Sequence, residues 1–431
     1  MYWFGLVIFI LVILKWATQL WLEWLNERNV RLHSSGVPES LKDVIDAPTY
    51  TRSVEYTLAK SRLRKWELSY DTLVLAMALF SGILPRCFSF FCQHIGRSTW
   101  AMGGFLFLMG LAFSALTLPF DWYAQFRLEA RFGFNTTTPK LWWADRFKGL
   151  CLGVVLGYPF LVLMVFLIQR AGQNWWLWAW GALMIFELVI AVLAPVLILP
   201  LFNKFTPLPE GPLRARLLNL AQRTGFRAHG IQVMDGSKRS RHSNAFFTGF
   251  GKFRKIVLFD TLIQQLLESE LEAVLAHEIG HFKRKHIPKM LTASALGSLL
   301  GFYILSWLAR QDWFYRGFGF VPDNVAAGLL LFGLLSGVAT FWLSPLIHAW
   351  SRRYEYQADR FAALSMADSR PLIGALRKLN LKNLSNLTPH PFYSGFYYSH
   401  PTLLEREQAL MALPQSFCSP ASPPGNPLSA G

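Results

Sequence analysis

Seven long apolar blocks, at about residues 2–22, 72–91, 100–122, 150–168, 175–201, 290–308 and 325–349, constrain this chain more than any other feature of it. Hydrocarbon offers no water to a backbone N–H or C=O, so a crossing segment must close its own hydrogen bonds. Blocks of this length do so as helices spanning about 30 Å. The second block is the weakest, because Pro85 and Arg86 interrupt it. With 53% hydrophobic and 15% aromatic residues among 431, the fold class expected is mainly α, a polytopic membrane bundle of about seven transmembrane helices.

The first block has no basic segment before it. Its first positive charge, Lys15, follows the apolar run and no small-x-small cleavage site comes after, so it reads as a retained anchor. Seven crossings sort the loops onto two faces. One face receives Arg28, Arg31, Lys42, Arg52, Lys60, Arg62, Arg64 and Lys65, the loop with Arg127, Arg131, Lys140, Arg146 and Lys148, segment 202–289 and the C-terminal part. The other has Arg97, Arg170, Arg310 and Arg316 in short loops. Basic residues collect on the cytoplasmic side, which puts the N-terminus outside and segment 202–289 inside.

The net charge of +16 is then mainly topology, with attraction to anionic membrane lipids added. It follows the loops of one face and accompanies no recognition fold, so no nucleic-acid partner is expected. Cys87, Cys92, Cys151 and Cys418 show neither ligand pairing nor a disulfide framework.

Chemistry enters at His277-Glu278-Ile279-Gly280-His281. Four helical residues advance about 400°, so His277 and His281 leave one face a turn apart and can share one metal ion, with Glu278 beside it. Ser269-Glu270-Leu271-Glu272 reads as a capping box opening this helix. Zinc with three protein ligands keeps a position for water, and an adjacent carboxylate can take the proton as that water attacks a carbonyl. The third ligand must come from elsewhere. Glu355 is the best candidate, with Asp359 one turn on to orient a ligand histidine from behind. The plain alternatives are a chance motif on a buried helix and a solvated charged helix end. His286, five residues past His281, sits about 140° off the ligand face and reads as supporting or structural. Lys15, Glu187 and His348 lie near membrane depth, where they mark a polar interior. Lys15 and His348 could equally snorkel to an interface.

In the segment before the motif, 213–224 has helical spacing and 230–234 and 256–259 resemble strands. Between these strands, 244–249 is an apolar run closed by glycine: either an ordinary hairpin strand or an edge to which an extended substrate could add itself.

His277-Glu278-Ile279-Gly280-His281 followed by Glu355-x-x-Ala358-Asp359 resembles the M48 peptidases, and the seven-crossing plan is similar to their CAAX prenyl protease type 1 branch. Arg131-Phe132-Gly133-Phe134-Asn135, Pro200-Leu201-Phe202-Asn203-Lys204-Phe205, Ile256-Val257-Leu258-Phe259-Asp260-Thr261-Leu262 and Ser399-His400-Pro401 extend the likeness over nearly the whole chain. The resemblance implies a bundle enclosing a chamber, with a small α+β, gluzincin-like zinc domain on the cytoplasmic side. It also implies one zinc per chain on His277, His281 and Glu355, with Glu278 as general base and acid and Asp359 behind a ligand. By the same resemblance His400 stabilises the oxyanion, Arg406 helps hold the substrate or its carboxylate end, and Asn244, Ala245 and Phe246 supply the edge strand.

The chain is thus expected to divide into a five-helix membrane region (1–201), a catalytic insert with the edge strand and motif helix (202–289), two further crossings (290–349), the rest of the peptidase domain (350–414) and a proline-rich disordered tail (415–431). The activity expected is zinc endoproteolysis near the C-terminus of prenylated or other membrane-associated proteins. Its partners are peptide or lipidated protein substrates and membrane lipids, and the chain acts as a monomer. Rival readings are quality-control proteolysis of membrane proteins and a metal-binding transporter that hydrolyses nothing. Compact loops and the lack of a dibasic retrieval signal favour a bacterial inner membrane, the active site facing the cytoplasm, over the endoplasmic reticulum expected of a eukaryotic enzyme.

Overall fold

The computed structural model describes residues 2–226, 230–248 and 255–414; Gly249 of the expected edge segment, Cys418 and the tail lie outside them. Helix α1 (Tyr2–Leu32) is followed by α2 (Ala47–Phe80) and α3 (Ile83–His94), which meet at 59°. Gly82 makes that bend, its φ of 75° being a left-handed value that ends α2. Pro85 then falls in the first turn of α3, where a missing N–H leaves no intrahelical bond unmade. The weakest apolar block is therefore two helices joined at a bend, three residues before its proline. Six other helical runs are long and apolar enough to cross a membrane.

Ser98 caps α4 (Thr99–Tyr123) by accepting from Ala101 N at 3.2 Å, and a π-helical stretch, 124–129, continues that helix. Then come α5 (Pro139–Leu152), α6 (Tyr158–Arg170), α7 (Trp175–Leu193) and the short α8 (Leu199–Phe202). At Gly103 of α4 an added Cβ would stand 2.6 Å from Val162 Cγ2 of α6, so this crossing tolerates no side chain.

Leaving the membrane, the chain forms β1 (Phe205–Pro207), α9 (Pro212–Arg223), β2 (Gly230–Met234), β3 (Ala245–Thr248), β4 (Lys255–Phe259), α10 (Asp260–Gln265) and α11 (Glu268–Lys283). The sheet order is β1-β2-β4-β3, antiparallel except for the parallel pair β2 and β4. The β-branched run Ile256-Val257-Leu258 is central and at most 1% exposed, which leaves β3 as an edge. Helix α11 begins earlier than its sequence signal. Leu267 is the N-cap residue and Glu270 accepts its N–H at 2.7 Å, while Glu272 instead pairs with Arg216 and Arg223 of α9.

Helix α12 (His286–Leu308) re-enters the membrane and is followed by α13 (Asp312–Arg316) and α14 (Val325–Thr340). A single 3-10 turn, Phe341–Leu343, separates α14 from α15 (Ser344–Met366), so the last crossing runs on into the helix that bears Glu355. The fold closes with α16 (Arg370–Lys382), α17 (Pro391–Tyr397) and α18 (Leu403–Met411). Leucines 217, 271, 275, 372 and 376 join the sheet residues in one core under α11. Lys15 donates to the Gly337 carbonyl at 3.1 Å and His348 to Phe396 O at 2.6 Å, so both face protein; Glu187 is exposed.

Candidate active site

Helices α11 and α15 cross where Gly280 meets Ala358. A Cβ on Gly280 would lie 3.0 Å from Ala358 Cα, so glycine lets the two backbones approach. That approach brings Glu355 to the histidines. Its Oε2 is 3.4 Å from His277 Nε2 and its Oε1 3.3 Å from His281 Nε2, and the two Nε2 atoms are 3.2 Å apart.

The other ring nitrogens are already engaged. His277 Nδ1 donates to Asp359 Oδ1 at 2.8 Å. His286 Nε2 donates to Gln357 Oε1 at 3.0 Å, so its Nδ1 accepts from His281 Nδ1, also at 3.0 Å. With both rings neutral, as metal ligands must be, both Nε2 atoms turn lone pairs towards each other and towards a buried carboxylate whose Oε2 has no hydrogen-bond partner. Three electron-rich groups converging with nothing donated between them suit a cation. One ligand atom from each residue lies within 4.8 Å of the other two, the geometry a single ion needs. Burial disfavours a proton on His277, but the carboxylates of Asp359 and Glu355 at its two nitrogens outweigh burial and push its pKa up to about 9, so a proton is drawn to Nε2 whenever no metal cation takes that place. The pocket attracts positive charge.

Arg406 of α18 clamps Asp359 with two hydrogen bonds, Nε at 2.8 Å and Nη2 at 2.5 Å, and is 9% exposed. It stands behind the histidine, hydrogen-bonded to that carboxylate, and its Nη1 lies 3.8 Å from Glu355 Oε2. Glu278 is partly buried and takes no hydrogen bond from a described residue; burial pushes its carboxyl pKa up. His400 approaches from the other side, Nε2 3.4 Å from Glu355 Oε1, with Ser399 Oγ 2.9 Å from its Nδ1. It lines a cavity of about 890 Å³ together with Tyr56, Lys60, Glu129, His242, Tyr397 and Tyr398. The edge strand β3 packs against α11 and follows Asn244, whose Oδ1 accepts from Ala245 N at 2.8 Å.

One contributor, His286, has the supporting role expected of it by a route the sequence did not show, and another escaped the sequence reading. A continuous helix would have carried His286 away from His281, but Lys285 adopts a left-handed φ of 57° and the new helix returns the ring, stacked 4.0 Å from Tyr354. Arg352 lies one turn before Glu355, on the stripe His348, Arg352, Glu355, Asp359. Its Nη1 donates to Tyr398 O at 2.7 Å, Gly395 O at 3.2 Å and Ser394 O at 3.5 Å. It thereby ties the C-terminal end of α17, two residues before His400, onto the helix bearing Glu355. The spacing was visible in the sequence, but the carbonyls it serves were not. Arg352→Ala is expected to lower kcat roughly 10- to 100-fold with metal content unchanged; assay with metal analysis checks it, and metal loss would contradict it.

In the cavity wall, His242 places Nε2 3.3 Å from Glu129 Oε2 and Nδ1 3.0 Å from Asn383 Oδ1. The hydrogen bond to Glu129 chiefly raises its pKa above 6.5. A raised folded-state pKa stabilises fully below pH 6.5 and is lost as pH rises through the raised value. The melting temperature should therefore fall over that window, and His242→Gln should flatten the slope; equal slopes would contradict this.

Helices crossing a membrane, a largely buried cluster of two histidines and one carboxylate, and a free glutamate beside it define a membrane-embedded metallopeptidase. The comparisons with known proteins agree. The CAAX prenyl protease N-terminal profile, with five membrane helices, matches residues 26–204, and that of peptidase family M48 matches 207–413. The chain is 35% identical to CAAX prenyl protease 1 of Saccharomyces cerevisiae, covering 88% of this chain and 89% of the yeast protein. It is 37% identical to the Arabidopsis thaliana homologue (87% and 90% covered) and 32% to the Homo sapiens homologue (93% and 95%). The crystal structure of S. mikatae Ste24p superposes with a TM-score of 0.87 at 33% identity, over 94% of this chain and 98% of that one. The chain belongs to peptidase family M48, in its CAAX prenyl protease 1 branch, and is an integral membrane metalloprotease.

Proposed function

We propose that this protein is a zinc endopeptidase that cuts near the C-terminus of prenylated CAAX-type or other membrane-associated proteins, with its active site facing the cytoplasm. The observation that carries the chemistry is the convergence of His277 Nε2, His281 Nε2 and the unpartnered Glu355 carboxylate. The donor set suits zinc, which when bound supplies Lewis acidity and lowers the pKa of water. The relatives named for prenyl proteolysis and the cavity beside His400 support the substrate class.

In this reading His277, His281 and Glu355 hold the ion. Glu278 takes the proton of the attacking water and returns it to the departing amine, a dual role that its burial-raised pKa favours. His400 Nε2–H stabilises the oxygen of the attacked carbonyl, being accessible to a substrate at 63% side-chain exposure. Asp359 fixes the tautomer of His277, and Arg406 holds Asp359 instead of reaching the substrate itself. The free edge of β3, from Asn244 through Ala245 and Phe246, pairs with the extended peptide. The charge asymmetry of the loops supports the cytoplasmic orientation, and we assign a monomeric state because each chain carries a whole site.

Mass spectrometry of products from one farnesylated peptide and its unlipidated twin tests the reading. Chelator should abolish cleavage and added zinc restore it, with the farnesylated peptide preferred. Equal cleavage of both would point to quality-control proteolysis. Hydrolysis unaffected by chelation would refute the zinc chemistry.

A further inference from the structure

A second cavity, of about 610 Å³, lies between α2 and the cytoplasmic end of α4. Leu63 and Leu128 line both it and the large cavity, so two side chains divide them. The two cavities differ in charge. The large one mixes acids and bases, whereas the second has an apolar lining and three charged residues, all of them arginines: Arg62, Arg127 and Arg131. All three are exposed, and none pairs with a carboxylate among the described residues. The Arg127 guanidinium lies 5.8 Å from the Trp122 ring and that of Arg131 5.4 Å from Phe132, which restrains both near the groove.

Its depth is set by its neighbours. The run Thr99–Glu129 is apolar enough to cross a membrane, so Arg127 and Arg131 stand at its cytoplasmic end. Trp66 is 69% exposed, Tyr123 49% and Trp122 39%, which is the aromatic belt of a membrane interface. An apolar slot at this level opens to lipid tails, and three guanidiniums without counter-ions sit at headgroup height. Guanidinium forks bind phosphate oxygens bidentately, whereas a choline headgroup would bring a cation against them.

We propose that this groove binds one anionic phospholipid, its phosphate held by Arg62, Arg127 and Arg131 and one acyl chain lying along the apolar floor towards Leu63 and Leu128. The site is independent of the peptidase chemistry. Three cations beside an anionic headgroup correspond to a preference of roughly 100-fold over a zwitterionic lipid.

Native mass spectrometry of the full-length metal-loaded protein, titrated with dioleoyl phosphatidylglycerol or dioleoyl phosphatidylcholine, tests it. One phosphatidylglycerol per chain should bind with roughly that preference and survive an equal concentration of inorganic phosphate. Arg62→Gln, Arg127→Gln and Arg131→Gln together should bring the two lipids near parity, while the three Arg→Lys replacements keep most of the preference and serve as a folding control. If the triple glutamine variant does not fold, each single variant should lose several-fold. Three results overturn the proposal: an unchanged preference in the glutamine variants, equal binding of the two lipids by the parent, or displacement by inorganic phosphate or by a farnesylated peptide at equal concentration.

Discussion

Glu278→Gln is expected to lower kcat about 100- to 10,000-fold while the metal stays bound. Glutamine keeps the size of the side chain and cannot take a proton. The ligand atoms belong to His277, His281 and Glu355, none of which this change touches. The Glu278 carboxylate accepts no hydrogen bond from a described residue, so it supports no neighbour whose loss could mimic a catalytic effect. KM should stay near the parent value, because the lost interaction exists only in the transition state. Steady-state kinetics beside metal analysis of the same preparation checks the outcome. A variant that keeps its turnover would remove Glu278 from the mechanism.

The second large effect is expected at Asp359, which is 2% exposed and bonded to both Arg406 and His277. Asp359→Ala takes from a buried guanidinium its hydrogen-bonded counter-ion and leaves it only the Glu355 carboxylate at 3.8 Å, and losing one partner of a buried pair costs about 3–5 kcal/mol. The same change frees the His277 ring, for a further loss of roughly 10- to 100-fold in metal affinity. Asp359→Leu combined with Arg406→Met separates the two effects. Removing both charges should recover most of the stability, while metal affinity stays low because nothing then orients His277. Thermal unfolding and chelator competition read the two quantities. An Asp359→Ala variant as stable as the parent would show that Arg406 finds its neutralisation elsewhere.

The local parts of this account were legible in the sequence, because helix geometry alone puts His277 and His281 on one face and Glu355 and Asp359 on another. The apolar blocks announced the crossings for the same reason. Contacts between distant segments were not legible. Arg406 lies 47 residues from Asp359, and nothing in its surroundings says that it is buried or where it is spent. Backbone exceptions were hidden as well. Lysine carries no signal for the left-handed turn at Lys285 that returns His286 to His281, and the second apolar block bends at Gly82 although Pro85 is the louder warning. Leu267 serves as an N-cap because Glu270 supplies the acceptor, a substitution that a search for Ser or Thr passes over.

The most direct test of the central claim is the position of the metal. Anomalous diffraction at the zinc edge on crystals of the metal-loaded protein should give one strong peak per chain, about 2.0–2.2 Å from His277 Nε2, His281 Nε2 and a Glu355 oxygen. A peak elsewhere, or none among these three residues in protein that cleaves peptide, would contradict it.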